Sequence, residues 1–462
     1  MAGTFQGLKH ADRQSGRWMA ALGLAFLLLT WPAILAGGGG TSQAADLTDY
    51  HLVEIRRLAG QLPAPDLRDA FSATTPGFHL GMAMLERAGA SLTAMRITAS
   101  LVALAGVLIL WRVAAAWAGP RVATWVALPF TVSPYLLGAT VWMTTESAAC
   151  TLVIATAGVG LLAPCRGHWG IVVGLLSAGA VLVRQILVWS CVPWLVRVIA
   201  ARGLRSGGGL LAAGVAPATL VIAAFFTLWG GTTPPRFREF VQSAGNPTAW
   251  VFCAAAMGAA SLPLLPGLWA RVDRAGRRRC VMAACVAMAI ALLVPTSFRR
   301  VLPPLSQLQG TPAERAELPA DAVVGAHEIG RWGGPLWDAA ARLPAPGDRS
   351  LLITSLAGLG AAAMAMLLAA AAARGRRVEA WGVTLMLASM ATAQAANAQT
   401  FQRYFDPWVL LALGWLVAMG WGGAGRGDRW CAAGLLLLSL AQLVMSVRAV
   451  LAPAFTGPAL AS

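Results

Sequence analysis

The feature that most constrains this chain is a succession of apolar runs. Each is close to the roughly 20 residues an α-helix needs to cross about 30 Å of hydrocarbon. The first is Trp18 to Ala36, preceded by Lys9, Arg13 and Arg17. It is longer than the roughly 7–15 apolar residues of a cleaved signal core, so it reads as a retained anchor with its basic flank in the cytoplasm. Further runs follow at 96–118, 122–140, 145–163, 170–183, 186–200, 209–229, 248–267, 280–297, 351–373, 378–396, 404–422 and 430–452. The expectation is an all-α polytopic membrane protein of about 13 transmembrane helices, forming one integral-membrane domain over 1–462. Runs 170–183 and 186–200 are short for full crossings, with Arg184-Gln185 between them; they read as two short helices meeting at one membrane face.

Composition agrees. Charged residues make up 12% of the 462, against about 25% in soluble chains. That argues against a cytosolic enzyme and against a disordered protein. The net charge is +16, and Lys9 is the only lysine. The arginines fall largely in short loops between apolar runs, where a topology signal sits, and do not gather into a nucleic-acid patch. No nucleic-acid partner is expected. The seven cysteines lie in or beside apolar runs with no C-x-x-C spacing, and read as small packing residues.

Orientation follows from the connections. With the N-terminus inside, the cytoplasmic turns carry Arg112 and Arg121; Arg166; Arg197, Arg202 and Arg205; the cluster Arg271 to Arg279; Arg374, Arg376 and Arg377; and Arg426 and Arg429. The two short outer turns, around 141–145 and 397–403, carry Arg403 alone. Basic inner turns are what the positive-inside rule requires. Two long connections, 37–95 and 298–350, then fall outside on the same face. Connections of such length are usually functional or disordered.

Polar residues that composition does not explain collect on that outer face. In the first long connection, Leu52, Ile55, Leu58 and Leu62 recur at helical spacing, which suits an amphipathic helix lying in the interface. Asp46 and Asp49 stand at its start. Asp49 reads either as a helix cap favoured by the dipole or as a carboxylate held at the membrane surface as a general base. The run Thr74-Thr75-Pro76-Gly77-Phe78-His79 is turn chemistry. Glu146 opens an apolar helix, where a carboxylate is costly unless it faces a cavity, a partner or water. Arg184 beside Gln185 can snorkel or bind a phosphate with its planar fork. The stretch Asn397 to Pro407 holds Gln402, Arg403 and Tyr404, which read as a binding site or as an interfacial anchor shared with Trp408.

Searches for other chemistry are negative. His327-Glu328 lacks the second histidine of a zincin, and there is no P-loop, G-x-G-x-x-G or G-x-S-x-G. No cofactor is expected; a divalent metal on His51, His79 and Asp49 is the alternative, without diagnostic spacing.

These motifs resemble the GT-C superfamily of integral-membrane glycosyltransferases, which use polyprenyl-phosphate sugars. Within it they are most similar to bacterial relatives of the dolichyl-phosphate-glucose-dependent α-1,2-glucosyltransferase. The matching pieces are Asp49-Tyr50-His51, Thr74 to His79, Thr145-Glu146, Arg184-Gln185 and Gln402-Arg403-Tyr404, in the family's order over nearly the whole chain. The chain has Asp-Tyr-His where the eukaryotic enzymes carry an Asp-Glu pair, and Glu146 where relatives often have Asp.

The resemblance implies a multi-pass protein of a bacterial inner membrane with a periplasmic active site. Asp49 would be the catalytic base, with Asp46 of the same stretch as the alternative, and Glu146 a second catalytic acid. Tyr50, His51, His79, Arg184, Gln185, Gln402, Arg403 and Tyr404 would bind substrate. Partners would be a polyprenyl-phosphate-linked sugar donor, a glycan or lipid-linked acceptor, and membrane lipid. The expected reaction is attack of an acceptor hydroxyl on the anomeric carbon, with the leaving phosphate stabilised by Arg184 and Arg403. The competing readings are a membrane transporter or lipid flippase, whose ionisable groups belong near midplane on broken helices, and a noncatalytic membrane scaffold.

Overall fold

The computed structural model describes residues 2–237, 245–296, 332–397, 400–423 and 425–460. Helices account for nearly all of the regular structure, with one short parallel pairing of Trp332-Gly333 against Thr400-Phe401. The helices begin and end where local chemistry dictates. Ser91 caps Leu92–Ala118 by accepting from Ala94 N, and Asp273 caps Arg274–Leu292 by accepting from Gly276 N at 2.7 Å. Gly119 at φ 82° closes one helix, and Pro120 at the first position of the next opens it.

Among the described residues, seven helices are long and apolar enough to cross a membrane, or eight counting Pro120–Thr131 with Pro134–Val141, a pair bent by 66°. The protein is therefore a multi-pass membrane protein by length and composition of its helices. This set does not show the thirteen crossings expected from the sequence. Gly167–Val183 and Asp406–Met419 are apolar but short. Arg274–Leu292 opens on an arginine cluster, and Arg377–Ala395 carries Arg377 and Glu379 in its first turn.

One span hides a reversal. The helical stretch Val192–Trp229 is broken at Gly203, at φ 71° and ψ 173°. Trp194 Nε1 donates to Leu210 O at 3.2 Å, and a Cβ on Gly214 would lie 2.7 Å from Trp194 Cδ1. Sixteen residues of straight helix would separate Trp194 and Leu210 by about 24 Å. The two arms therefore lie side by side, so runs 186–200 and 209–229 are separate antiparallel segments.

Small residues let helices touch. A Cβ on Gly258 would collide with Leu356 O, and one on Gly360 with Ala254 O. The helices Thr248–Ser261 and Leu351–Ala373 thus meet backbone to backbone, the packing that small residues permit in membranes.

The connections sort to two ends of the bundle. Glu146 opens the helix Thr145–Leu162, and Arg197 Nη1 donates at its far end to Gly160 O and Ala163 O, at 2.9 and 2.8 Å. Eighteen residues of helix span about 27 Å. At the Glu146 end, Trp142 Nε1 donates to Gly38 O at 3.3 Å, and Arg96 donates to Ile34 O and Val141 O at 3.1 and 2.6 Å. There too Thr75 Oγ1 donates to Val181 O, and Trp337 Nε1 to Thr400 O at 2.8 Å. Much of the second long connection, 297–331, lies outside the described residues.

Candidate active site

Four chain segments meet at this end. Met143 has φ 49°, left-handed for a residue with a side chain, and turns the chain into the helix that Glu146 opens. Glu146 sits in the first turn, where the dipole favours a carboxylate. Arg184 occupies the extended break after Gly167–Val183, and its Nη1 meets Glu146 Oε1 at 2.5 Å. Both side chains are largely buried, 13% and 18% exposed.

The second pair joins the two ends of the sequence. Arg403, in the short turn Gln402–Tyr404, places Nη1 2.5 Å from Asp46 Oδ2. Arg403 and Arg184 both lie over the Tyr404 ring, at 5.3 and 5.2 Å from its centroid, and Arg403 also covers Phe401 at 5.2 Å. Cation–π contact and the carboxylates together hold two guanidiniums around one buried tyrosine. An arginine has five N–H donors, and each ion pair described engages one nitrogen. Arg403 Nε is buried with no hydrogen-bond partner among the described residues, which suits a donor waiting for an anion.

Asp46 rather than Asp49 faces this cluster. Ser42–Asp46 is α-helical, but Leu47–His51 is a π-helical turn in which Leu52 N donates to Leu47 O. The wider i→i+5 repeat carries the chain past the face that an α-helix would give Asp49. Asp49 is exposed, its Oδ1 accepting from Thr48 Oγ1 at 2.9 Å. Tyr50 also turns aside, packing on Phe71 and Phe237 with centroids at 6.1 and 6.4 Å.

His51 and His79 pair with one another, Nδ1 to Nε2 at 2.9 Å. His79 is fully buried, and its Nδ1 has no hydrogen-bond partner among the described residues. Burial holds the pKa of His51 below the usual 6.5, against the opposing pull of Glu146 and Asp46. Burial, and then the neighbouring His51, hold His79 well below it. Both imidazoles are neutral at neutral pH. Among the described residues, no group of three or more His, Cys, Asp or Glu side chains is arranged to hold a metal ion.

The two glutamines fasten segments together. Gln185 Nε2 donates to Ala73 O at 2.9 Å and its Oε1 accepts from Thr75 N at 3.3 Å. A Cβ on Gly77 would lie 2.6 Å from Leu182 O, so the Thr-Thr-Pro-Gly turn seats directly against the helix preceding Arg184. Gln402 Nε2 donates to Asp406 Oδ2, and its Oε1 accepts from Leu336 N, both at 2.8 Å. These bonds align the turns that carry Arg184 and Arg403.

No protein-family model matches the chain, and no curated protein does. Two solved structures are similar at low identity. One is the archaeal oligosaccharyltransferase AglB from Archaeoglobus fulgidus, in complex with an inhibitory peptide and a dolichol-phosphate: TM-score 0.47, 11% identity, 97% of this chain and 56% of that one. The other is ArnT from Cupriavidus metallidurans in the apo state: TM-score 0.37, 14% identity, 90% of this chain and 76% of that one. The chain thus spans little more than half the length of AglB.

Of the residues singled out in the sequence, Glu146, Arg184, Arg403 and Tyr404 come together. His51 and His79 form an adjacent pair, and Asp49 and Tyr50 point elsewhere. The sequence offers Asp46 as the alternative to Asp49 and gives Phe401 no part. The spacing of Phe401 two residues before Arg403 was the available signal for an aromatic surface under that guanidinium.

Proposed function

We propose that the protein is a membrane glycosyltransferase moving a sugar from a polyprenyl-phosphate donor to an acceptor hydroxyl on the extracytoplasmic face. The observation that carries this reading is the convergence of Asp46, Glu146, Arg184 and Arg403 around Tyr404. Two fixed guanidiniums suit the developing charge on a leaving phosphate. A first-loop carboxylate beside them suits removal of a proton from the acceptor hydroxyl.

In this reading Asp46 is the base, since Asp49 is exposed and bonded locally. Its carboxylate takes the acceptor proton as the hydroxyl oxygen attacks the anomeric carbon. The bond from that carbon to the phosphate oxygen breaks, and the phosphate leaves towards Arg403 and Arg184 with inversion at the sugar carbon. Glu146 holds Arg184 in place. His51 and His79, neutral and paired, pack beside the site. The N-terminus lies in the cytoplasm, and the membrane is a bacterial inner membrane.

The test is incubation of purified full-length protein with a panel of radiolabelled polyprenyl-phosphate sugars and lipid-linked or glycan acceptors. Consumption of a donor with label appearing in an acceptor is expected, and loss of that transfer in Asp46→Asn. Movement of intact donor across a bilayer without bond cleavage would instead make the protein a flippase.

A further inference from the structure

The opposite end of the bundle holds a cavity of about 870 Å³, within the range of small-ligand sites. It opens where Leu265–Ala270, Leu351–Ala373 and the glycine-rich turn before Arg426–Ser446 come together. Its lining brings four arginines, Arg271, Arg277, Arg374 and Arg426, against one carboxylate, Asp428.

Arg271 and Arg277 are built in, while Arg374 and Arg426 are exposed at the mouth. Arg271 Nη2 pairs with Asp428 Oδ1, and its guanidinium lies 5.4 Å from the Trp421 ring centroid. Its Nε and Nη1 are buried with no hydrogen-bond partner among the described residues. Arg277 is oriented by bonds from Nε to Val272 O at 3.1 Å and from Nη2 to Trp269 O at 3.4 Å, and it lies over Trp269. Glycines make the room: the Arg374 guanidinium fills the space a Cβ on Gly422 would need, and a Cβ on Gly427 would lie 2.9 Å from Arg271 Cγ.

Buried donors without acceptors are costly, and three arginine charges in excess of the carboxylate leave the cavity electropositive. Trp269 and Trp430 stand at its edge, 42% and 49% exposed, as tryptophans do at a membrane interface. Basic pockets between helices at that depth suit lipid phosphates.

We infer that this cavity binds a phosphate-bearing anion, either an anionic lipid headgroup or a soluble phosphate ester. Arg271 supplies its unpartnered Nε and Nη1, and Arg374 and Arg426 close over the phosphate from the solvent side. The site stands at the other end of the bundle from Tyr404 and is independent of the proposed reaction.

The test uses native mass spectrometry of the full-length protein in detergent. The probes are phosphatidylglycerol, phosphatidylcholine as the zwitterionic control, and inorganic phosphate. Arg374→Gln with Arg426→Gln removes two exposed arginines of the cavity. Arg278→Gln with Arg279→Gln removes the same charge from exposed positions on the same end, outside the lining. The cavity pair should weaken phosphatidylglycerol binding by about tenfold or more, the loss expected with a charge-assisted hydrogen bond, and the control pair should change it little. If inorganic phosphate alone binds with that same dependence, the site holds and its ligand is soluble. Equal loss in both pairs, equal retention of the two lipids, or no binding of any probe would overturn the inference.

Discussion

Arg403 reaches back 357 positions to pair with Asp46, Nη1 to Oδ2 at 2.5 Å, while its guanidinium rests on the Tyr404 ring. This contact ties the first long connection to the turn Gln402–Tyr404 and puts a carboxylate beside a stacked guanidinium. If Asp46 is the base, Asp46→Asn lowers transfer by about 10²–10⁴-fold, the usual range for general base catalysis. Asp49→Asn, at an exposed position, should stay within a few-fold of wild type. Initial rates of label transfer for the two variants, at matched amounts of inserted protein, decide between them; the reverse order returns the role to Asp49.

The arginines are expected to act through their planar forks as well as their charge. Arg403→Lys and Arg184→Lys keep the charge but lose the stacked fork over Tyr404. Each should cut kcat by about 10²-fold or more, in line with loss of one donor to a developing oxyanion. Steady-state kinetics against donor concentration reads this directly. A lysine variant with unchanged kcat and KM would remove that arginine from phosphate stabilisation.

Much of the architecture is legible in the sequence because apolar run length is a local property. The breaks at Arg184 and Gly203 fall between runs read from composition alone. The number of crossings is not local in the same way. Gly167–Val183 and Asp406–Met419 are short helices packed within the bundle, and whether such a helix crosses depends on its neighbours. At the site, the sequence gathers Glu146, Arg184 and Arg403 on one face, and the contacts agree. Asp49 takes the base role from the resemblance, with Asp46 as the alternative; a π-helical turn at Leu47–His51 separates the two, with Asp49 exposed and Asp46 paired with Arg403. Gln185 and Gln402 look like ligand-binding groups in isolation, yet their partners are Ala73, Thr75, Leu336 and Asp406, contacts that only tertiary structure creates.

Gly77 gives a test of that fastening. Its backbone lies against Leu182 O, with room for no Cβ. Gly77→Ala should push the Thr75 turn off Gln185 and destabilise the protein by about 1–3 kcal/mol, as overpacking does. Thermal unfolding in detergent should show a lower midpoint, and transfer should fall further than stability alone explains, because Arg184 adjoins the displaced turn. A wild-type midpoint would mean the turn and helix are free to part.

The His51–His79 pair sets a pH dependence whose sign follows from its burial. Each folded-state pKa lies below the unfolded value of about 6.5. Below that pH the unfolded chain takes up protons that the folded pair resists, so stability rises with pH through this window. The contribution is fully present above about pH 6.5 and is lost progressively as the pH falls towards the folded values. Around His51, Glu146 and Asp46 favour protonation, and burial, in the same direction as Arg403 and Arg184, outweighs them. His79→Gln retains a hydrogen-bonding side chain but cannot titrate. The midpoint of thermal unfolding should therefore fall more steeply between pH 7 and 5 in wild type than in His79→Gln. Parallel curves for the two proteins would show that the pair is protonated as readily when folded as when unfolded.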